Sequence, residues 1–133
     1  MTARHVLTIL AVDDVARATG FYRAAFGWAQ LVDVPVYAEL ELPGGMRLGL
    51  YQRDGYARNT GRPASRTEPG TVTATELYLH VDELDATIAA IRAAGGEELS
   101  PRARRDWGDD AAYFADLDAN VIVVACRSSE PAI

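Results

Sequence analysis

Apolar and polar residues along this chain recur with two periods, and the places where one period gives way to the other mark out its elements. Two β-rich runs, "HVLTILAV" (residues 5–12) and "ELYLHV" (residues 76–81), have the length and composition of strands. Each leads into apolar residues at helical spacing: Val15, Ala18, Tyr22, Ala25 and Phe26 after the first run, Leu84, Ile88 and Ile91 after the second. Asp13 or Asp14, and Asp82 or Glu83, stand where those helices begin. A carboxylate there accepts free backbone N–H groups and suits the helix dipole. Gly27, and Gly95 with Gly96, stand where a left-handed residue would close each helix.

The two stretches are copies of one another. A shift of 69 residues lays "VDDVARATGFYRAAFG" over "VDELDATIAAIRAAGG" without a gap, and 6 of 16 positions are identical. Further strands follow each helix: roughly residues 30–34, 37–42 and 46–52 in the first copy, and 98–100, 111–115 and 121–127 in the second. "PGG" at residues 43–45 is the turn of a hairpin. "RDGYARNTGRPASRTEPGT" (residues 53–71) is rich in Gly, Pro, Arg and polar residues and reads as a connecting loop. The expected organisation is a single domain of two modules, residues 4–53 and 72–127, joined by a linker loop over 54–71. Each module is strand-helix-strand-strand-strand, and neither could bury both faces of its sheet alone.

Composition narrows the function classes. The formal net charge is −6 and the sequence contains no Lys, which argues against a nucleic-acid partner. An acidic surface would draw a cationic small molecule, or simply keep the protein soluble. No stretch approaches the roughly 20 apolar residues of a membrane span. The N-terminal segment lacks the pattern of a secretory leader, so the expected location is the cytoplasm. Cys126 is the only cysteine, which excludes an intramolecular disulfide and a cysteine-based zinc site. Its apolar strand suits a buried, inert thiol; a reactive one is the alternative.

"TILAVDDVARATGFYRAAFGW", "LYLHVDELDATIAAIRAAGG" and "WGDDAAYFADLDANVIVVA" together resemble the vicinal oxygen chelate superfamily, which includes glyoxalase I, extradiol dioxygenases and bleomycin-resistance proteins. The resemblance covers about residues 4–127. It rests on Phe21, Tyr22, Phe26, Gly27 and Trp28 around the first helix and on the turn formed by Asp116, Asp118 and Asn120. It implies an α+β fold: two βαβββ modules forming a cupped, mixed eight-stranded sheet with a groove, and helices on the outer face. In metal-using members four strand positions in the groove hold a divalent ion. Carried onto this chain, those positions are Leu7, Gly49, Glu76 and Val123. One carboxylate among them cannot supply the ligands that a catalytic zinc or a hard divalent cation requires. The expectation is therefore no metal and no cofactor. A set of His5, Glu76 and His80 is the alternative, hindered because residues two apart on a strand stand nearly 7 Å apart.

Alternation along the strands gives the remaining groove residues. They include His5, Leu7, Ile9 and Ala11; Tyr37, Glu39 and Glu41; Arg47, Gly49 and Tyr51; Glu76, Tyr78 and His80; and Val121, Val123 and Ala125. The candidate ligand-binding set is Glu76, Tyr78, His80, Tyr37, Arg47, Tyr51 and Trp107. Trp107 either stacks on a flat or cationic ligand or packs its own loop; Trp28 is expected in the core. Burial in an apolar groove would fit Glu76 to act as a general base or to hold a cation. The resulting expectation is a metal-independent small-molecule-binding protein of the glyoxalase/bleomycin-resistance type. It would be a homodimer that sequesters an aromatic or cationic compound, as antibiotic-resistance proteins of this type do. The alternatives are a glyoxalase-like lyase or isomerase with Glu76 as its candidate catalytic residue, and a structural or regulatory dimer without a ligand.

Overall fold

The computed structural model describes residues 2–129. The described residues divide into two compact units, residues 2–23 with 27–66 and residues 24–26 with 67–129. The first contains β1 (Leu7–Val12), β2 (Ala29–Val34), β3 (Tyr37–Glu41), β4 (Arg47–Gln52) and α2 (Arg53–Thr60). Helix α1 (Val15–Phe26) follows β1. The second contains β5 (Glu76–His80), α3 (Leu84–Ala93), β6 (Glu97–Arg104), β7 (Asp109–Ala115) and β8 (Val121–Arg127). Each unit holds a four-stranded mixed sheet of the same topology, ordered β1-β4-β3-β2 and β5-β8-β7-β6. In both, the first strand pairs parallel with the last and the remaining pairs are antiparallel. The eight strands, the α+β class and the duplicated βαβββ unit are those the sequence implied.

Local chemistry explains most boundaries. The Asp14 carboxylate caps α1 by accepting from Arg17 N, and Gly27 closes it at a φ of 69°. Strand alternation is clean in the first unit: Ala38, Leu40, Leu48 and Leu50 are fully buried on one face, while the opposite face carries Tyr37, Glu39, Arg47 and Tyr51. Trp28 is in the core, stacked on buried Tyr22 at 6.1 Å between ring centroids. In the second unit α3 packs on β8, and Leu84, Ile88 and Ile91 form its buried stripe.

The Asp116 carboxylate organises the turn between β7 and β8. It accepts from the backbone N–H of Asp118 (2.9 Å) and Asn120 (2.8 Å) and from the Asn120 side-chain amide (3.0 Å). These bonds hold Ala119 at a φ of 64°, which residues with a Cβ rarely adopt.

Two elements depart from the sequence reading. Residues 53–60, expected to be loop, form α2. That helix has no continuous apolar stripe for periodicity to find; its ends hold it. Gln52 accepts from the N–H groups of Asp54 and Gly55, and Gly61 closes the other end at a φ of 77°. The segment is also tied back to the start of the chain. Arg53, nearly buried, donates to Asp13 Oδ1 at 2.6 Å and to Ser65 O at 3.0 Å, and Arg66 reaches the same Asp13 oxygen at 2.6 Å. Strand β6 runs from Glu97 to Arg104, well past the expected residues 98–100. It lies at the sheet edge with irregular register, where Pro101 is tolerated.

Candidate functional site

On the first unit, the side chains of β3 and β4 opposite the buried Ala38–Leu50 face form one polar cluster. Tyr37 Oη donates to Glu39 Oε2 at 2.6 Å, and Arg47 Nη1 donates to Glu39 Oε1 at 2.8 Å. Glu39 is buried, and these two donors hold its carboxyl below the usual glutamate range. Burial and the neighbouring carboxylate push the Tyr37 phenol up, so it stays protonated and acts as a donor. Tyr51 meets Tyr37 edge-on at 5.4 Å and Tyr56 at 6.1 Å, and accepts from the Asn59 amide at 3.2 Å. All of this depends on Gly49. A Cβ there would stand 2.6 Å from the Tyr37 oxygen and 2.9 Å from Ile9 Cγ1.

On the second unit, the face of β5, β7 and β8 turned away from α3 has an apolar floor of Ala111, Val121, Val123 and Ala125, with Tyr113 packed on it. Arg105 lies over the Tyr113 ring at 5.1 Å. Beside the floor, Asp109 meets three side chains and, through Tyr78, a fourth. Its Oδ2 accepts from Tyr78 Oη at 2.6 Å and meets His80 Nε2 at 2.9 Å. Its Oδ1 is buried without a hydrogen bond, 3.8 Å from Arg127 Nη1. Trp107 Nε1 donates to Tyr78 Oη at 2.8 Å. The Tyr78 and His80 hydrogen bonds hold the Asp109 carboxyl below the usual aspartate range. Burial and Asp109 push the Tyr78 phenol up. The carboxylate is 4% exposed, whereas Trp107 is 49% and Tyr78 39% exposed.

The candidates from sequence thus fall into two groups. Tyr37, Arg47 and Tyr51 meet around Glu39 on the first unit; Tyr78, His80 and Trp107 meet around Asp109 on the second. Glu76 joins neither: it is exposed at the start of β5 with no hydrogen bond or ion pair among the described residues. The desolvation expected for it is absent. Asp109, the hub of the second group, escapes the sequence reading because "RRDWGDD" reads as a loop and the alternation is clear only from Ala111. The signal was parity, since Asp109 is two residues before Ala111 and therefore on the same face.

The metal that the fold implies does not fit these residues. Leu7 and Val123 carry no donor, and Val123 is fully buried in the apolar floor. The space beside Gly49 is filled by Tyr37. His5 meets Thr8 Oγ1 at 3.0 Å and His80 meets Asp109. Among the described residues, no three His, Cys, Asp or Glu side chains form a group that could hold an ion.

Comparison with known proteins agrees with this architecture. Solved structures superpose over nearly the whole chain. A glyoxalase-related enzyme from Fulvimarina pelagi matches with a TM-score of 0.80 at 19% identity, covering 99% of this chain and 100% of that one. Protein ATC0852 from Agrobacterium tumefaciens matches at 0.74 with 30% identity, over 97% and 100%. TioX from Micromonospora sp. ML1 matches at 0.68 with 21% identity, over 95% and 100%. No curated protein matches the sequence. Among the described residues no helix is long and apolar enough to cross a membrane. The family model for the Glyoxalase/Bleomycin resistance protein/Dioxygenase superfamily matches residues 3–124, and the chain belongs to that superfamily.

Proposed function

We propose that this protein binds a small, flat aromatic or cationic organic compound on the β5–β7–β8 face of its second unit, without a metal. The observation that carries the reading is the inward use of the polar tips of Trp107 and Tyr78. The single N–H of the Trp107 indole and the Tyr78 hydroxyl are both engaged in the chain that ends on Asp109. What these two half-exposed side chains offer a ligand is ring carbon with a buried negative charge behind it. Such a surface favours stacking and cation–π contact over directional hydrogen bonding. The bleomycin-resistance side of the superfamily, rather than its metal-dependent enzymes, supplies the analogy.

The test is calorimetry and thermal shift with a panel of aromatic and cationic antibiotics, with and without EDTA. Saturable binding that EDTA leaves unchanged is expected. Trp107→Ala should weaken it about thirtyfold, the effect of removing an aromatic anchor that contributes about 2 kcal/mol. Binding that requires Ni²⁺ or Zn²⁺, or that ignores Trp107→Ala, refutes the reading.

A further inference from the structure

The first unit carries a concavity that shares no residue with either cluster described above. It lies between α1 and β2 and has a volume of about 380 Å³, within the range of small-molecule sites. Three independent features mark it as more than a gap in the surface.

The first is Thr19, which lines the crevice at 7% exposure. Its hydroxyl is buried and has no hydrogen-bond partner. A helical threonine ordinarily bonds the carbonyl a turn earlier, and a buried hydroxyl left unpaired is destabilising. The second is Gly20, in the middle of α1. Its φ is not positive, and a Cβ added there would meet nothing within 4 Å. Neither backbone nor packing requires a glycine, which weakens a helix interior. Its effect is to leave the crevice open. The third is a pair of opposite charges: Arg23 from α1 and Asp33 from β2 both line the crevice and are exposed. Neither side chain makes a hydrogen bond or ion pair among the described residues, with the other or with any third group. Val15 and Val34 add apolar wall.

We propose that this crevice binds a small zwitterion with an apolar body, of amino-acid to dipeptide size. Its carboxylate meets Arg23 and its ammonium meets Asp33. A polar group lying over Gly20 supplies the partner that the Thr19 hydroxyl lacks, and the apolar body rests on Val15 and Val34. The proposal goes beyond the ligand assigned to the second unit and does not depend on it.

The experiment is an NMR titration of ¹⁵N-labelled protein with leucine and with leucyl-leucine. N-acetyl-leucyl-leucine and leucyl-leucine amide serve as the singly charged controls. Saturable shifts at the amides of residues 16–23 and 30–34 are expected with at least one zwitterion. Loss of one charge-assisted contact should weaken binding by about tenfold in each control. Gly20→Leu should abolish the shifts while leaving the amide signals of residues 76–127 in the free protein unchanged. Arg23→Ala gives a second reading that does not depend on Gly20→Leu folding. The proposal is overturned if neither zwitterion gives saturable shifts, if the controls bind equally well, or if binding survives Arg23→Ala undiminished.

Discussion

The Tyr37 hydroxyl occupies the space that a side chain on Gly49 would need: its oxygen lies 2.6 Å from the position of a Cβ there. The Tyr37 Cε1 and Ile9 Cγ1 atoms close the same space at 2.9 Å. Gly49→Ala therefore forces the ring off Glu39 or the strand off its neighbours. A loss of about 1–3 kcal/mol is expected, the usual range for overpacking. In a Tyr37→Ala background, where only the Ile9 contact remains, the same change should cost less, and urea melts of the four proteins of that cycle measure the coupling. Equal costs in both backgrounds would show that the ring is not the obstacle.

Asp13 ties α2 and the segment after it to the corner between β1 and α1 through two arginines of unequal burial. Arg53 has 10% of its side chain exposed and Arg66 has 69%. Asp13→Ala leaves the Arg53 guanidinium without its carboxylate and should cost about 1–3 kcal/mol. Arg66→Ala removes an exposed pair and should cost no more than about 1 kcal/mol. Limited trypsin digestion gives a second readout, with faster cleavage at Arg62 and Arg66 expected in Asp13→Ala.

Acid should destabilise the fold through three carboxylates. Asp13 is held below its ordinary value first by Arg53, Glu39 first by Tyr37 and then Arg47, and Asp109 first by Tyr78 and then His80. The folded state releases these protons more readily than the unfolded chain. Their contribution is complete above the ordinary values of 3.8 for Asp and 4.5 for Glu. It is lost as pH falls through the lower folded values. The urea midpoint should drop as pH falls below the ordinary carboxylate values, and Asp109→Asn should flatten part of that slope. The phenols act in the opposite sense. Tyr37 and Tyr78 hold their protons above the ordinary 10.0, so stability persists to that pH and declines as it rises through the folded values. A midpoint independent of pH at both ends would contradict these assignments.

Two backbone positions should respond in opposite directions to the exchange of alanine and glycine. Gly20→Ala adds a Cβ with nothing within 4 Å, in the middle of a helix, and should stabilise by about 0.5–1 kcal/mol. Ala119 already sits at a φ of 64°, so Ala119→Gly should relieve strain of about 1–2 kcal/mol. Thermal melts of both variants decide the matter. A lower melting temperature for either would mean that the local conformation is held for another reason.

The duplicated fold was legible in the sequence because the features that create it are local. The Val-Asp entry and Gly exit of each helix, the alternation in β3 and β4, and the Asp116 turn all involve residues close in the chain. The site was only half legible. Alternation put Tyr37, Arg47 and Tyr51 on one face, and Tyr78 and His80 on another, but it says nothing about which residue the members of a face turn toward. Alternation puts Glu39 on its face without giving it a role, and the run around Asp109 reads as a loop. Each proved to be the buried acceptor for its neighbours, while Glu76, the most prominent carboxylate by position, stands alone. Helix α2 escaped notice because capping residues rather than an apolar period define it.

The bonds to Asp116 also bear on how the chain reaches its native state. Three donors within four residues close the β7–β8 connection without help from distant sequence. Strand β5, by contrast, must travel across α3 and two further strands to pair with β8. Short loops close faster than long ones. The hairpin should therefore assemble first and serve as the template on which β5 docks, so that Asp116→Ala slows refolding while Leu77→Ala mainly accelerates unfolding.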